Sequence, residues 1–90
     1  MAKCIACLKE LTPAMLGDDP EGPGPFSEAT IFTSSGNYGS TVFDPMDSSM
    51  FLEVNICDEC LLRNAHAVKT VRKVTSTKYD YSPWNPQEDY

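Results

Sequence analysis

Apolar and polar positions alternate through residues 50–56, with Leu52, Val54 and Ile56 on one parity and Phe51, Glu53 and Asn55 on the other. A period of two predicts a strand with one buried face that runs directly into Cys57. Residues 29–35 are rich in β-branched and aromatic types and predict a second strand. Gly36-Asn37-Tyr38-Gly39 then supplies types that tolerate positive φ, and Ser40-Thr41-Val42-Phe43 resumes strand composition, so a hairpin is expected there, ended by Pro45. From Cys57 the period changes. At about 100° per residue Leu61, Ala65, Val68 and Val71 share one side of a helix, and Arg63, His66, Lys69 and Lys73 share another. This predicts a helix from Cys57 to about Val74, with Leu61, Ala65, Val68 and Val71 facing the core. Asp58 and Glu59 in its first turn and Arg72 and Lys73 near its last suit the macrodipole, and Glu59 lies four residues before Arg63.

The flanking segments read differently. Residues 1–12 form a short knuckle around Cys4 and Cys7, with Leu8 and Leu11 expected to cover it. Residues 13–28 are polar and acidic with Pro20, Gly22, Pro23, Gly24 and Pro25 crowded together, and are expected to be a solvated loop and the most mobile internal segment. Residues 79–90, with Tyr79, Tyr81, Trp84 and Tyr90 among acids and prolines, read as a tail that builds no core alone. The organisation expected is therefore a folded domain over 1–78 and an acidic aromatic tail over 79–90. The tail's aromatics either pack back over the domain or anchor a partner.

The chemistry is concentrated in the cysteines. There are four, arranged as Cys4-Ile5-Ala6-Cys7 and Cys57-Asp58-Glu59-Cys60. Two Cys-x-x-Cys pairs supply the four thiolates of one tetrahedral zinc site, because thiolates bind zinc strongly and a two-residue spacer lets both sulfurs of a pair reach the same ion. Four sulfurs close the coordination sphere, which argues for structural rather than catalytic zinc. The rival use is redox cycling of either pair, although that chemistry is usually built on one pair in a βαβ pattern. In a chain of 90 residues a single apolar core is marginal, and a metal commonly supplies what is missing. The order of knuckle, strands and a helix whose first turn carries the second pair is that of a small α+β zinc finger of treble-clef type.

Other chemistry is thin. His66 is the only histidine and reads as a surface residue six positions after Cys60, with replacement of a cysteine ligand the lesser alternative. Ser34, Ser35, Ser40, Ser48 and Ser49 have no identifiable base, and Gly36–Gly39 lacks the lysine of a phosphate loop. No catalytic constellation is present, so a non-enzymatic protein is expected. The net charge is −6, unevenly spread: residues 61–78 hold Arg63, Lys69, Arg72, Lys73 and Lys78 with no acid. The acidic remainder disfavours nucleic acid at long range, while the basic segment can still meet phosphates or an acidic protein surface. No apolar run is long enough to cross a bilayer and no signal segment leads the chain, so a cytoplasmic location is expected.

Residues 32–45, Phe32-Thr33-Ser34-Ser35-Gly36-Asn37-Tyr38-Gly39-Ser40-Thr41-Val42-Phe43-Asp44-Pro45, followed by Leu52-Glu53-Val54-Asn55-Ile56-Cys57-Asp58-Glu59-Cys60-Leu61, resemble small zinc-finger-like proteins of bacteria and their phages. The resemblance covers roughly residues 30–68 and the N-terminal knuckle. It implies a treble-clef or zinc-ribbon fold and no chemistry. The functional expectation is a zinc-held module that binds a protein partner, for a phage protein one of the host's, through Arg63, His66, Lys69, Lys73, Tyr79, Tyr81 and Trp84. The alternatives are a nucleic-acid-binding finger and a thiol oxidoreductase.

Overall fold

A computed structural model describes residues 2–15, 17–46 and 49–86. The chain is a small α+β protein that divides into two compact units, Met1–Asp58 and Glu59–Tyr90.

In the first unit β1, Ala29–Ser34, pairs antiparallel with β2, Leu52–Cys57, in a register that sets Ala29 opposite Cys57 and Ser34 opposite Leu52. Both strands lie where composition predicts them, but the expected hairpin partner is wrong. Residues 40–43 form no strand, and the partner of β1 comes from beyond the loop. Ser40 explains this locally: its Oγ accepts from the N–H groups of Val42 at 3.3 Å and Phe43 at 2.9 Å, and so occupies donors that a ladder needs. Gly36, at φ +96°, lets the chain fold close on itself there, since a Cβ would stand 2.9 Å from the Phe43 carbonyl oxygen.

The buried face of β2 is also the reverse of the one its apolar residues suggest. Asn55 and Cys57 are buried, Val54 and Ile56 are half-buried, and Leu52 is exposed. Alternation was the right reading and its polarity was not, because the core of this unit is built on sulfur. Its buried members are Cys4, Leu11, Phe26 and Cys57, with Asn55 among them. Leu11 is buried, whereas Leu8, at φ +65° and 66 % exposed, is not.

The acidic loop is better anchored than its composition suggests. A bridge joins Pro13 to Phe26, the Ser27 N–H donates to the Thr12 carbonyl at 2.8 Å, and the Phe26 ring is only 4 % exposed. Gly24 packs on Ile31 so closely that a Cβ would collide with Ile31 Cδ1.

In the second unit the long helix is replaced by three short elements. Helix α1 spans Asp58–Arg63, a 3-10 turn spans Ala65–Ala67, and β3, Lys69–Lys73, pairs antiparallel with β4, Tyr79–Pro83. Asn64 ends α1: its N–H and its Nδ2 both donate to the Cys60 carbonyl, at 3.1 and 2.9 Å. Beyond it, Val68, Thr70, Val71, Val74 and Thr75 are β-branched, which penalises helix and favours strand. The aromatic run at Tyr79–Tyr81 supplies the partner. Residues 79–83 are thus a paired strand and no separate tail, and 87–90 lie outside the described residues. Arg72 and Lys73 stand in β3 and have no helix end to complement. Leu61, Ala65 and Val68 are half-buried and Val71 is exposed, and with Leu61 in α1, Ala65 in the 3-10 turn and Val71 in β3 they form no single helical core face; every residue of β3 and β4 is exposed. The predicted Glu59–Arg63 pair does form, at 2.8 Å on the surface.

Candidate metal centre

The first pair of cysteines sits in a tight turn made by its own backbone. The Leu8 N–H donates to the Cys4 carbonyl at 2.8 Å, and the Cys4 N–H donates to the Lys9 carbonyl at 3.0 Å. Lys3 bridges Glu10 antiparallel, closing the knuckle behind the sulfurs. The knuckle is fixed to β2 by a parallel bridge between Cys4 and Asn55 and by the Ile5 N–H, which donates to the Asn55 carbonyl at 2.9 Å. The second pair begins at the last residue of β2, and Cys60 follows within α1. The entry to that helix is held by the Asp58 N–H, which donates to the Glu28 carbonyl at 2.9 Å.

These constraints bring Cys4, Cys7, Cys57 and Cys60 together, with all four Sγ atoms within 4.8 Å of one another. Cys4, Cys57 and Cys60 are buried and Cys7 is exposed. None of the four is in a disulfide, and Cys7 Sγ and Cys57 Sγ, from different pairs, lie 3.9 Å apart. In a tetrahedral tetrathiolate zinc site with bonds of about 2.3 Å the sulfurs are about 3.8 Å apart, so the donor set fits such an ion after small adjustments.

The surroundings of Cys4 favour its anion. The Cys57 N–H and the Ala6 N–H both donate to Cys4 Sγ at 3.4 Å. The Cys57 N–H is the larger influence on the thiol; together with the Cys7 and Ala6 amides and the Cys7 thiol it outweighs burial and lowers the pKa to about 6. A metal therefore finds one sulfur already disposed to ionise at neutral pH.

With the geometry in place, comparison with known proteins adds nothing to it. The chain matches no family model, no curated protein and no solved structure.

The expected partner-binding residues are not gathered on one helix. Arg63 ends α1, His66 lies in the 3-10 turn, and Lys69 and Lys73 lie on β3 opposite Pro83 and Tyr79 of β4. Trp84 is half-buried, and its N–H donates to the Val68 carbonyl at 3.1 Å, extending the β3–β4 ladder by a further bond. Lys69 Nζ stands 4.9 Å from the centroid of the Tyr81 ring. The residue most clearly missed is Asn55. It is 6 % exposed, bridges Cys4, and its Oδ1 is a buried side-chain atom without a hydrogen-bond partner among the described residues. Its place two positions before Cys57 on the same strand face was the signal that could have found it. Among the described residues no helix is long and apolar enough to cross a membrane.

Proposed function

We propose that the four thiolates hold one structural zinc ion and that the chain is a non-catalytic, zinc-stabilised interaction module of treble-clef type. The observation that carries this reading is the convergence of four Sγ atoms to within 4.8 Å from two pairs separated by most of the first unit. Soft, all-sulfur, tetrahedral surroundings select zinc among the common divalent ions, and a complete sulfur set keeps no position for water or substrate. The knuckle supplies one pair and the strand-to-helix junction the other, which is the ligand arrangement of a treble clef. The small buried core supports the same reading, since the apolar residues at its centre are few and the sulfurs occupy the place of more.

Redox work by the thiols is less well supported. An attacking thiolate needs access, and three of the four sulfurs are buried. The reading of a binding module rather than an enzyme rests on the closed sulfur set and on the display of basic and aromatic side chains in the second unit.

Native mass spectrometry of the chain expressed without added metal tests the proposal. One zinc per chain, removed by a strong chelator together with the far-ultraviolet circular dichroism of the folded state, is the expected result. A metal-free chain that keeps its spectrum and shows four titratable thiols overturns it.

A further inference from the structure

The β3–β4 ribbon sorts its side chains by face. Directly paired residues project to the same side, and so do residues two apart. Lys69 opposite Pro83, Val71 opposite Tyr81 and Lys73 opposite Tyr79 therefore share one face, and Thr70 opposite Ser82 and Arg72 opposite Asp80 share the other. The first face carries two lysines, two tyrosines and no carboxylate; the second sets its arginine against an acid. Tyr79 is 45 % exposed, Tyr81 61 % and Val71 52 %, so neither ring is used up in packing. The tyrosines stand two residues apart on one strand, a separation of about 6.5–7 Å. Beside Tyr81 lies an open concavity of about 500 Å³ lined by His66, Val68, Lys69 and Pro83.

We propose that this face binds single-stranded nucleic acid, with bases stacking on Tyr79 and Tyr81 and phosphates held by Lys69 and Lys73. The inference rests on the reading of the chain as a binding module. Interleaved lysines and accessible aromatic rings form a stacking platform with a cationic track, the combination that single strands use without sequence readout. Lys69 Nζ lies over the Tyr81 ring, 4.9 Å from its centroid, so a stacking base must displace this flexible side chain from the ring face, which leaves its charge beside the phosphate of that nucleotide. A duplex keeps its bases stacked on one another and offers nothing to the rings. The net charge of −6 sets the affinity at a modest level, and two lysines on two phosphates give a shallow salt dependence, a slope of about −1.4 in log K against log salt.

The test is fluorescence anisotropy of the full chain with a labelled 12-nucleotide mixed-sequence strand, as DNA and as RNA, and with the corresponding duplex, at low and at physiological salt. Zinc content and circular dichroism are measured on the same samples, so that a failure of the metal reading is seen separately from a failure of binding. Single strands are expected to bind, more weakly as salt rises, and to be preferred over duplex. Tyr79→Ala and Tyr81→Ala should each lower the affinity about five-fold or more, the K69E/K73E double variant should abolish binding, and Arg72→Ala on the other face should change it less than two-fold. Absence of binding by folded, zinc-loaded protein overturns the proposal. Equal affinity for duplex, indifference to the tyrosine substitutions, or full competition by an acidic polypeptide such as polyglutamate also overturns it, the last outcome assigning the face to acidic protein partners.

Discussion

The two units of this chain are stabilised by different means. The first buries Leu11, Phe26, Cys4 and Cys57, and its loops are pinned to its strands by backbone bonds. The second has a two-stranded ribbon exposed on both faces. Isolated two-stranded ribbons are marginal in water, so the backbone ladder, the Thr75-capped turn and the cross-strand pairs carry what stability the ribbon has. The same comparison separates their roles. The first holds Cys4, Cys7 and Cys57 of the sulfur cluster, and the second displays lysine and tyrosine on an exposed ribbon.

The largest effect expected is from the metal. Structural zinc contributes on the order of 10–16 kcal/mol of apparent binding energy against roughly 5–15 kcal/mol of net stability for a whole domain. Cys57→Ser should therefore leave the first unit unfolded, seen as collapse of its amide dispersion in a proton–nitrogen correlation spectrum. Persistence of that dispersion would remove the metal from the account of the fold.

Apolar truncations should then distinguish the units. Phe26→Ala should cost about 3–5 kcal/mol, and Val71→Ala, on an exposed ribbon face, under about 1 kcal/mol, both read from denaturant midpoints of the zinc-loaded chain. Comparable losses at the two sites would mean that the ribbon is buried in solution. Within the knuckle, Leu11→Ala should cost about 2–5 kcal/mol and Leu8→Ala within about 0.5 kcal/mol, although the two leucines are three residues apart. Gly24→Ala should cost about 1–3 kcal/mol, because its Cβ must displace Ile31, and trimming the partner in a Gly24→Ala, Ile31→Val double variant should recover part of that loss. The smallest effect should come from Arg63→Ala, about 0.3–0.5 kcal/mol, since both partners of that ion pair are well exposed.

Much of the first unit was legible in the residues. The Cys-x-x-Cys spacing pointed to the cluster that the fold assembles, β-branched and aromatic composition located β1, and alternation located β2, each to within two residues. Their pairing was not legible, because the competitor at 40–43 has strand composition, while in the fold the Ser40 side chain captures the N–H groups of Val42 and Phe43. The second unit misled for a different reason. Leu61, Ala65, Val68 and Val71 fit a helical period, while Lys69, Val71 and Lys73 fit a period of two equally well. Helix propensity decided between them: five β-branched residues between 68 and 75 follow an asparagine that closes α1. The tyrosines at 79 and 81 then looked like a tail only because their partner strand had been read as helix.

The central claim is that two cysteine pairs from distant parts of the sequence share one ion. Zinc K-edge X-ray absorption of the purified chain tests it most directly, because the fine structure counts the atoms bound to the metal. The account predicts four sulfur scatterers at about 2.3 Å and none lighter in the first shell. Two sulfurs with two oxygen or nitrogen neighbours at about 2.0–2.1 Å would show that each pair binds its metal alone, and would contradict it.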